Sequence, residues 1–319
     1  MVRQGPVGRW WAGLPPAAGA AVMAAGIISI GLHLIGLEGP SLVALAGAGA
    51  LWVLLAADFG YRLLGDRRRF RAEADTPAAL TAVAATTVLG ARLSLLGRQQ
   101  AAAALLALSA ALWPGLLLHV LRHWQRRVPG AAFLVCVATQ GLAVLAGTLA
   151  AATGREWLAR AALAAFLLGL LLYAEALVRF DFREVLTGAG DHWVAGGALS
   201  ICALAGSKLT ASPVWEGSAH TALRTATLVT LGLALAWYAV LLAAEILRPR
   251  PHYDIRRWAT VFPLGMTATA CLSAAAPTGV GPLRPLGEVL LWIAVAAWLL
   301  TFGALLTTGR SARRPPAGP

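Results

Sequence analysis

The chain has 319 residues, 59% of them hydrophobic and 13% charged, with a formal net charge of +12 and a mean hydropathy of +0.71. That balance excludes a water-soluble globular domain, and apolar runs of about 20 residues recur along nearly the whole length, each enough to cross a ~30 Å hydrocarbon core as a helix. The positive charge does not indicate nucleic acid, because the basic residues fall in short loops between apolar runs, where the positive-inside rule accounts for them.

Ten spans are expected, near 17–37, 41–64, 77–97, 101–121, 131–152, 157–178, 191–211, 223–247, 257–276 and 284–305. Residues 1–16 read as a cytoplasmic N-terminus ahead of a retained first span, residues 17–308 as one transmembrane domain and 309–319 as a disordered cytoplasmic tail. The linkers carry the expected breakers: "EGP" at 38–40, "VPG" at 128–130, "TGAG" at 187–190, "RPRP" at 248–251 and "PTGVGP" at 277–282. Of the 26 lysines and arginines, 19 sit at the N-terminus, after even spans or at the C-terminus. That asymmetry assigns both termini to the cytoplasm.

Alternate spans differ in composition. The odd spans contain 17 Leu and 14 Ser or Thr, the even spans 37 Leu and 6 Ser or Thr. Leucine-rich helices suit contact with lipid, whereas helices rich in small and hydroxyl residues either pack closely or line a polar path. Composition leaves those two alternatives open. The odd spans begin at intervals of about 55 to 65 residues, which reads as five hairpins, each with an inner and an outer helix.

Five stretches, one in each odd span, carry a family resemblance: "AAVMAAGIISIGLHLIG" (20–36), "TAVAATTVLGARLSL" (81–95), "VATQGLAVLAGTL" (137–149), "DHWVAGGALSICALAGSKL" (191–209) and "WATVFPLGMTATA" (258–270). The chain resembles the tellurite-resistance/C4-dicarboxylate transporter family, related to plant slow-type anion channels and fungal malate and sulfite transporters. The resemblance implies an all-α integral membrane fold of ten helices, inner odd-numbered helices around a central pore, usually a homotrimer. It implies passage of small inorganic or dicarboxylate anions (C4-dicarboxylate, tellurite, sulfite, nitrate or chloride class), obstructed by a phenylalanine that aligns with Phe262.

The residues add their own chemistry. Pro263 removes one helical N–H and bends a helix, and Gly265 permits close approach of another group. Phe262 is therefore either a hydrophobic gate in a pore or a packed aromatic in a kinked helix. Thr86, Thr87, Gln140, Gly196, Ser200 and Thr267 are candidate pore-lining residues, although Ser and Thr can instead satisfy their own helix carbonyls. Arg92 and Lys208, near the ends of odd spans, are candidate anion-attracting groups, with snorkelling to headgroups the alternative for Arg92.

Acidic residues in the spans read as helix ion pairs, Asp58 with Arg62, Glu175 with Arg179 and Glu245 with Arg248, and Asp191 as an N-cap. Cys136, Cys202 and Cys271 lie in separate runs without metal spacing, and no nucleophile–base, metal or nucleotide pattern appears, so no cofactor, metal or enzymatic activity is expected. A proton-coupled anion exporter on the same scaffold and a non-transporting membrane protein are the alternative readings. Abundant Ala, Gly and Arg suit a GC-rich bacterial genome and an inner-membrane location.

Overall fold

The computed structural model describes residues 18–65, 76–250 and 253–311. The expected N-terminal segment 1–16 and the tail after Ser311 lie outside these residues, as does the side chain of Arg62. Among the described residues every element is helical, and the one β-type pairing is an isolated bridge between Val128 and Phe180.

Ten helices of fifteen residues or more follow in order: α1 Gly19–Leu34, α2 Glu38–Gly65, α3 Thr81–Leu95, α4 Gln99–Arg122, α5 Leu134–Thr153, α6 Glu156–Arg179, α7 Val194–Thr210, α8 Gly217–Leu247, α9 Trp258–Thr278 and α10 Leu283–Ser311. Eight helical stretches are long and apolar enough to cross a membrane, and Gly19–Leu34 is apolar but shorter. The described part of α1 has 16 residues, and α7 with the 3-10 turn Asp191–Trp193 before it covers residues 191–210, close to the expected 191–211; both are almost wholly buried in protein.

Local chemistry explains the boundaries. Pro77 starts a 3-10 turn that leads into α3, and similar turns precede α5, α7 and α9. Gly154 and Gly279 take left-handed conformations that close α5 and α9. Two expected linkers are partly helical: "EGP" forms the first turn of α2, where a proline costs no helical hydrogen bond, and Pro277 lies inside α9. Asp191 is not a side-chain N-cap; it opens a 3-10 turn capped by Gly190, which has φ of 134°.

Each odd-numbered helix packs on the helix that follows it, and the odd helices also touch one another in the cyclic order α1, α3, α5, α7, α9 and back to α1. A glycine lies at every junction of that cycle. Gly26 faces Val88 (α1–α3), Gly141 faces Thr87 (α3–α5), Gly147 faces Lys208 (α5–α7), Gly197 faces Pro263 (α7–α9) and Gly265 faces Ile27 (α9–α1). These close approaches account for the scarcity of leucine in the odd helices. Nearly every residue of α5 is buried, whereas in α2 only Ser41 and Ala48 are buried among the described side chains, so the even helices carry the apolar exterior.

Candidate permeation site

The ring junction between α7 and α9 holds the proline–aromatic pair. Phe262 is almost fully buried, and α9 continues through Pro263 to Thr278. A Cβ at Gly197 would lie 2.8 Å from Pro263 Cγ, so α7 approaches the proline ring as closely as a glycine allows. One turn on, the Ser200 and Thr267 hydroxyls are 2.7 Å apart, with Ser200 donating to Gly196 O at 3.1 Å and Thr267 to Pro263 O at 2.9 Å. Gly265 receives the Ile27 side chain from α1.

The remaining candidate liners are drawn into contacts between helices. Thr86 Oγ1 accepts from Trp52 Nε1 at 2.9 Å on α2 and donates to Ala82 O, while Thr87 donates to Ala84 O and packs on Gly141 of α5. Gly196 faces Leu241 and Trp237 of α8. Gln140 Nε2 donates to Phe166 O of α6 at 3.0 Å and to Cys202 Sγ of α7 at 3.2 Å. Hydroxyls satisfied by a nearby carbonyl of their own helix can seat tight helix contacts, as Thr87 does against Gly141.

Arg92 is drawn into an ion pair between helices rather than out to a headgroup. It is fully buried, with Nη2 donating to Glu38 Oε1 at 2.5 Å and to Ser41 Oγ at 2.9 Å, and Nε donating to Ser29 and Ser41. Glu38 also pairs with His33 Nδ1 at 2.6 Å. The Arg92 charge is thus matched by a carboxylate from the first turn of α2, a residue that reads as linker in the sequence. Lys208 differs: its stem packs on Gly147, it is part-buried, and no acidic or hydrogen-bonding group engages it among the described residues.

At the other end of the ring helices, Arg250 joins three elements. It donates to Gly188 O, to Glu245 of α8 and, at 3.2 Å, to Nε2 of the buried His192. Glu245 takes Arg257 as its second partner at 2.7 Å, in place of the expected Arg248. Glu175 and Arg179 do pair, at 2.5 Å. Nearby, Glu184 accepts from Gly130 N at 2.8 Å, and its partial burial raises its carboxyl pKa above the ordinary value despite that bond.

Sequence reasoning missed Gly197, Glu38 and the contact between Cys136 and Cys202. The doublet at Gly196 and Gly197 is a visible sign of close packing, whereas the other two pairings join residues 54 and 66 positions apart with no local signal.

Comparison with known proteins is consistent with this architecture. A family model described as voltage-dependent anion channel matches residues 13–306. Two uncharacterized membrane proteins of Mycobacterium tuberculosis, from strains CDC 1551 / Oshkosh and H37Rv, are each 32% identical over 139 residues, covering 38% of this chain and 68% of the relative.

Proposed function

The chain belongs to the voltage-dependent anion channel family, and from that premise we propose that it passes small anions through the interior of the five-helix ring, with Phe262 as the obstruction. The observation that carries the reading is the direction of Phe262 around α9. Pro263 and Thr267 meet α7, Gly265 and Thr269 meet α1, and Leu272 meets Gly287 of α10. At ~100° per residue, Phe262, Met266 and Ala270 fall on the remaining face, between the α1 and α7 contacts and away from α10. That face is the inside of the ring.

The same construction applies to α7. Ser200 and Gly197 meet α9, Gly196 and Gly206 meet α8, and Cys202 meets α5. Ile201 then faces inward, between the α9 and α5 contacts, and Lys208, whose stem packs on Gly147 of α5, lies at the α5 edge of that face. A lysine without a carboxylate partner at one end of an apolar passage attracts an anion, and the apolar groups around Phe262 keep the attraction from becoming a trap. Thr87, Gln140, Ser200 and Thr267 serve this arrangement as contacts between ring helices, Thr86 and Gly196 seat the outer helices α2 and α8, and Pro263 and Gly265 set how closely α9 approaches its neighbours. Arg92, matched by Glu38, holds α1, α2 and α3 together.

In this reading residues 17–308 form the transmembrane unit, five hairpins with the odd helices inside and both termini cytoplasmic. The protein works as a homotrimer in a bacterial cell membrane, on anions of the inorganic or dicarboxylate class. Anion flux into liposomes tests it. Phe262→Ala is expected to raise basal flux well above that of the native chain; unchanged flux with an intact fold would remove Phe262 as the gate. A flux that follows the pH gradient at fixed voltage would favour the proton-coupled exporter instead.

A further inference from the structure

Cys136 on α5 and Cys202 on α7 lie with their sulfurs 3.6 Å apart, both fully buried. A third cysteine, Cys271, is free on α9. The pair is chemically unequal. Cys202 Sγ accepts the Gln140 amide N–H at 3.2 Å, whereas Cys136 Sγ donates towards the carbonyl of Ala198 at 3.8 Å. Bond formation needs the two sulfurs to approach by only ~1.5 Å from contact to the ~2.05 Å of a disulfide.

We propose that Cys136 and Cys202 are an oxidant-closable dithiol that clamps α5 to α7, with hydroperoxide as the class of oxidant. The Cys202 thiolate attacks one peroxide oxygen, the O–O bond breaks, and hydroxide leaves as water with the proton released by the Cys202 thiol. Cys202 is then a sulfenic acid. The Cys136 sulfur attacks the Cys202 sulfur, the S–O bond breaks, and the second oxygen leaves as water with the sulfenic hydrogen and the Cys136 proton. Two thiols and one hydrogen peroxide give one disulfide and two waters; the two electrons come from the sulfurs and reduce the O–O bond.

The clamp lies in the ring. Cys202 follows Ser200 by two residues and Gly197 by five, so the bond fixes the stretch of α7 that contacts Pro263 and Thr267. Its effect on transport rests on the anion-pathway reading above: with α7 tied to α5, movement of the α7 wall away from Phe262 is restrained and flux falls.

The test uses the full chain in liposomes, treated with hydrogen peroxide and then with dithiothreitol. In the native protein, which has three cysteines, denaturing alkylation is expected to label one thiol after oxidation and all three after reduction, with flux dropping several-fold and returning. Cys271→Ala should still form the cross-link, and Cys136→Ala should instead leave a dimedone-reactive Cys202 with flux insensitive to peroxide. Three alkylatable thiols in peroxide-treated native protein would overturn the clamp. A complete cross-link with unaltered flux would overturn its regulatory role. Absence of flux in every form, Phe262→Ala included, would overturn the anion-pathway reading, and the thiol count would still decide the clamp.

Discussion

Replacing Gly197 by alanine probes the α7–α9 junction with a single methyl group. The added Cβ would lie 2.8 Å from Pro263 Cγ, 3.0 Å from its Cβ and 3.2 Å from its Cα, whereas ordinary contact begins near 3.4 Å. Pro263 cannot yield by rotating a side chain, because its ring is closed onto the backbone. The two helices must therefore separate by about 0.6 Å at this level, and overpacking of this kind costs ~1–3 kcal/mol. Alanine in a helix returns up to ~1 kcal/mol relative to glycine. Gly232→Ala supplies the control, since Gly232 lies inside α8 with nothing within 4 Å of its Cβ position. Thermal unfolding in detergent, followed by tryptophan fluorescence, should place Gly232→Ala at or above the native midpoint and Gly197→Ala below it, a gap equivalent to ~1–3 kcal/mol. Basal anion flux should rise in Gly197→Ala as α7 withdraws from Phe262. A Gly197→Ala protein as stable as Gly232→Ala, with native flux, would refute the close-packed junction.

The Arg92 cluster predicts an asymmetry: Glu38→Gln leaves a buried guanidinium without its counter-ion, whereas Arg92→Met removes the charge and leaves Ser29 and Ser41 bonded to each other. Glu38→Gln should lower the unfolding midpoint more than Arg92→Met, and the reverse order would contradict the pairing. Lys208→Gln should reduce anion flux and weaken its anion-over-cation selectivity in reversal-potential measurements while leaving the fold intact; undiminished flux would exclude an attracting role. Glu184 has a raised carboxyl pKa, so its charged form costs stability, and that cost grows as pH rises through the raised pKa from the ordinary 4.5. Glu184→Gln keeps an acceptor for Gly130 N, and its midpoint should match the native one in acid and exceed it near neutral pH.

The sequence made the alternation of helices legible, because burial is written in composition: the odd helices lose leucine where glycines seat their neighbours, and the even helices keep it for the exterior. Phe262, Pro263 and Gly265 were legible as a local break in one helix. Ser200 and Thr267 were legible as polar groups inside apolar helices, but not as partners, since their pairing depends on the rotation of α7 against α9. The partner of Arg92 was hidden for the same reason. Its counter-ion Glu38 follows the glycine turn after α1 and precedes a proline, a pattern that reads as linker but equally suits the first turn of a helix, where acidic side chains and early prolines are favourable. The boundary at the C-terminal end of α1 differs by three residues from the expected 37, because the helix closes at Leu34 and Gly36 takes a left-handed turn.

The way the ring helices are lengthened has an electrical consequence. The work of moving one elementary charge through a potential of 100 mV is ~2.3 kcal/mol whatever the distance. The 3-10 turn Pro77–Leu80 adds to the 15 residues of α3, so that turn and helix together extend ~30 Å, about the thickness of the hydrocarbon core. On the proposed pathway the voltage then drops over about the ordinary core thickness, and a charge displaced near Phe262 couples to it in proportion to the fraction of that distance it moves.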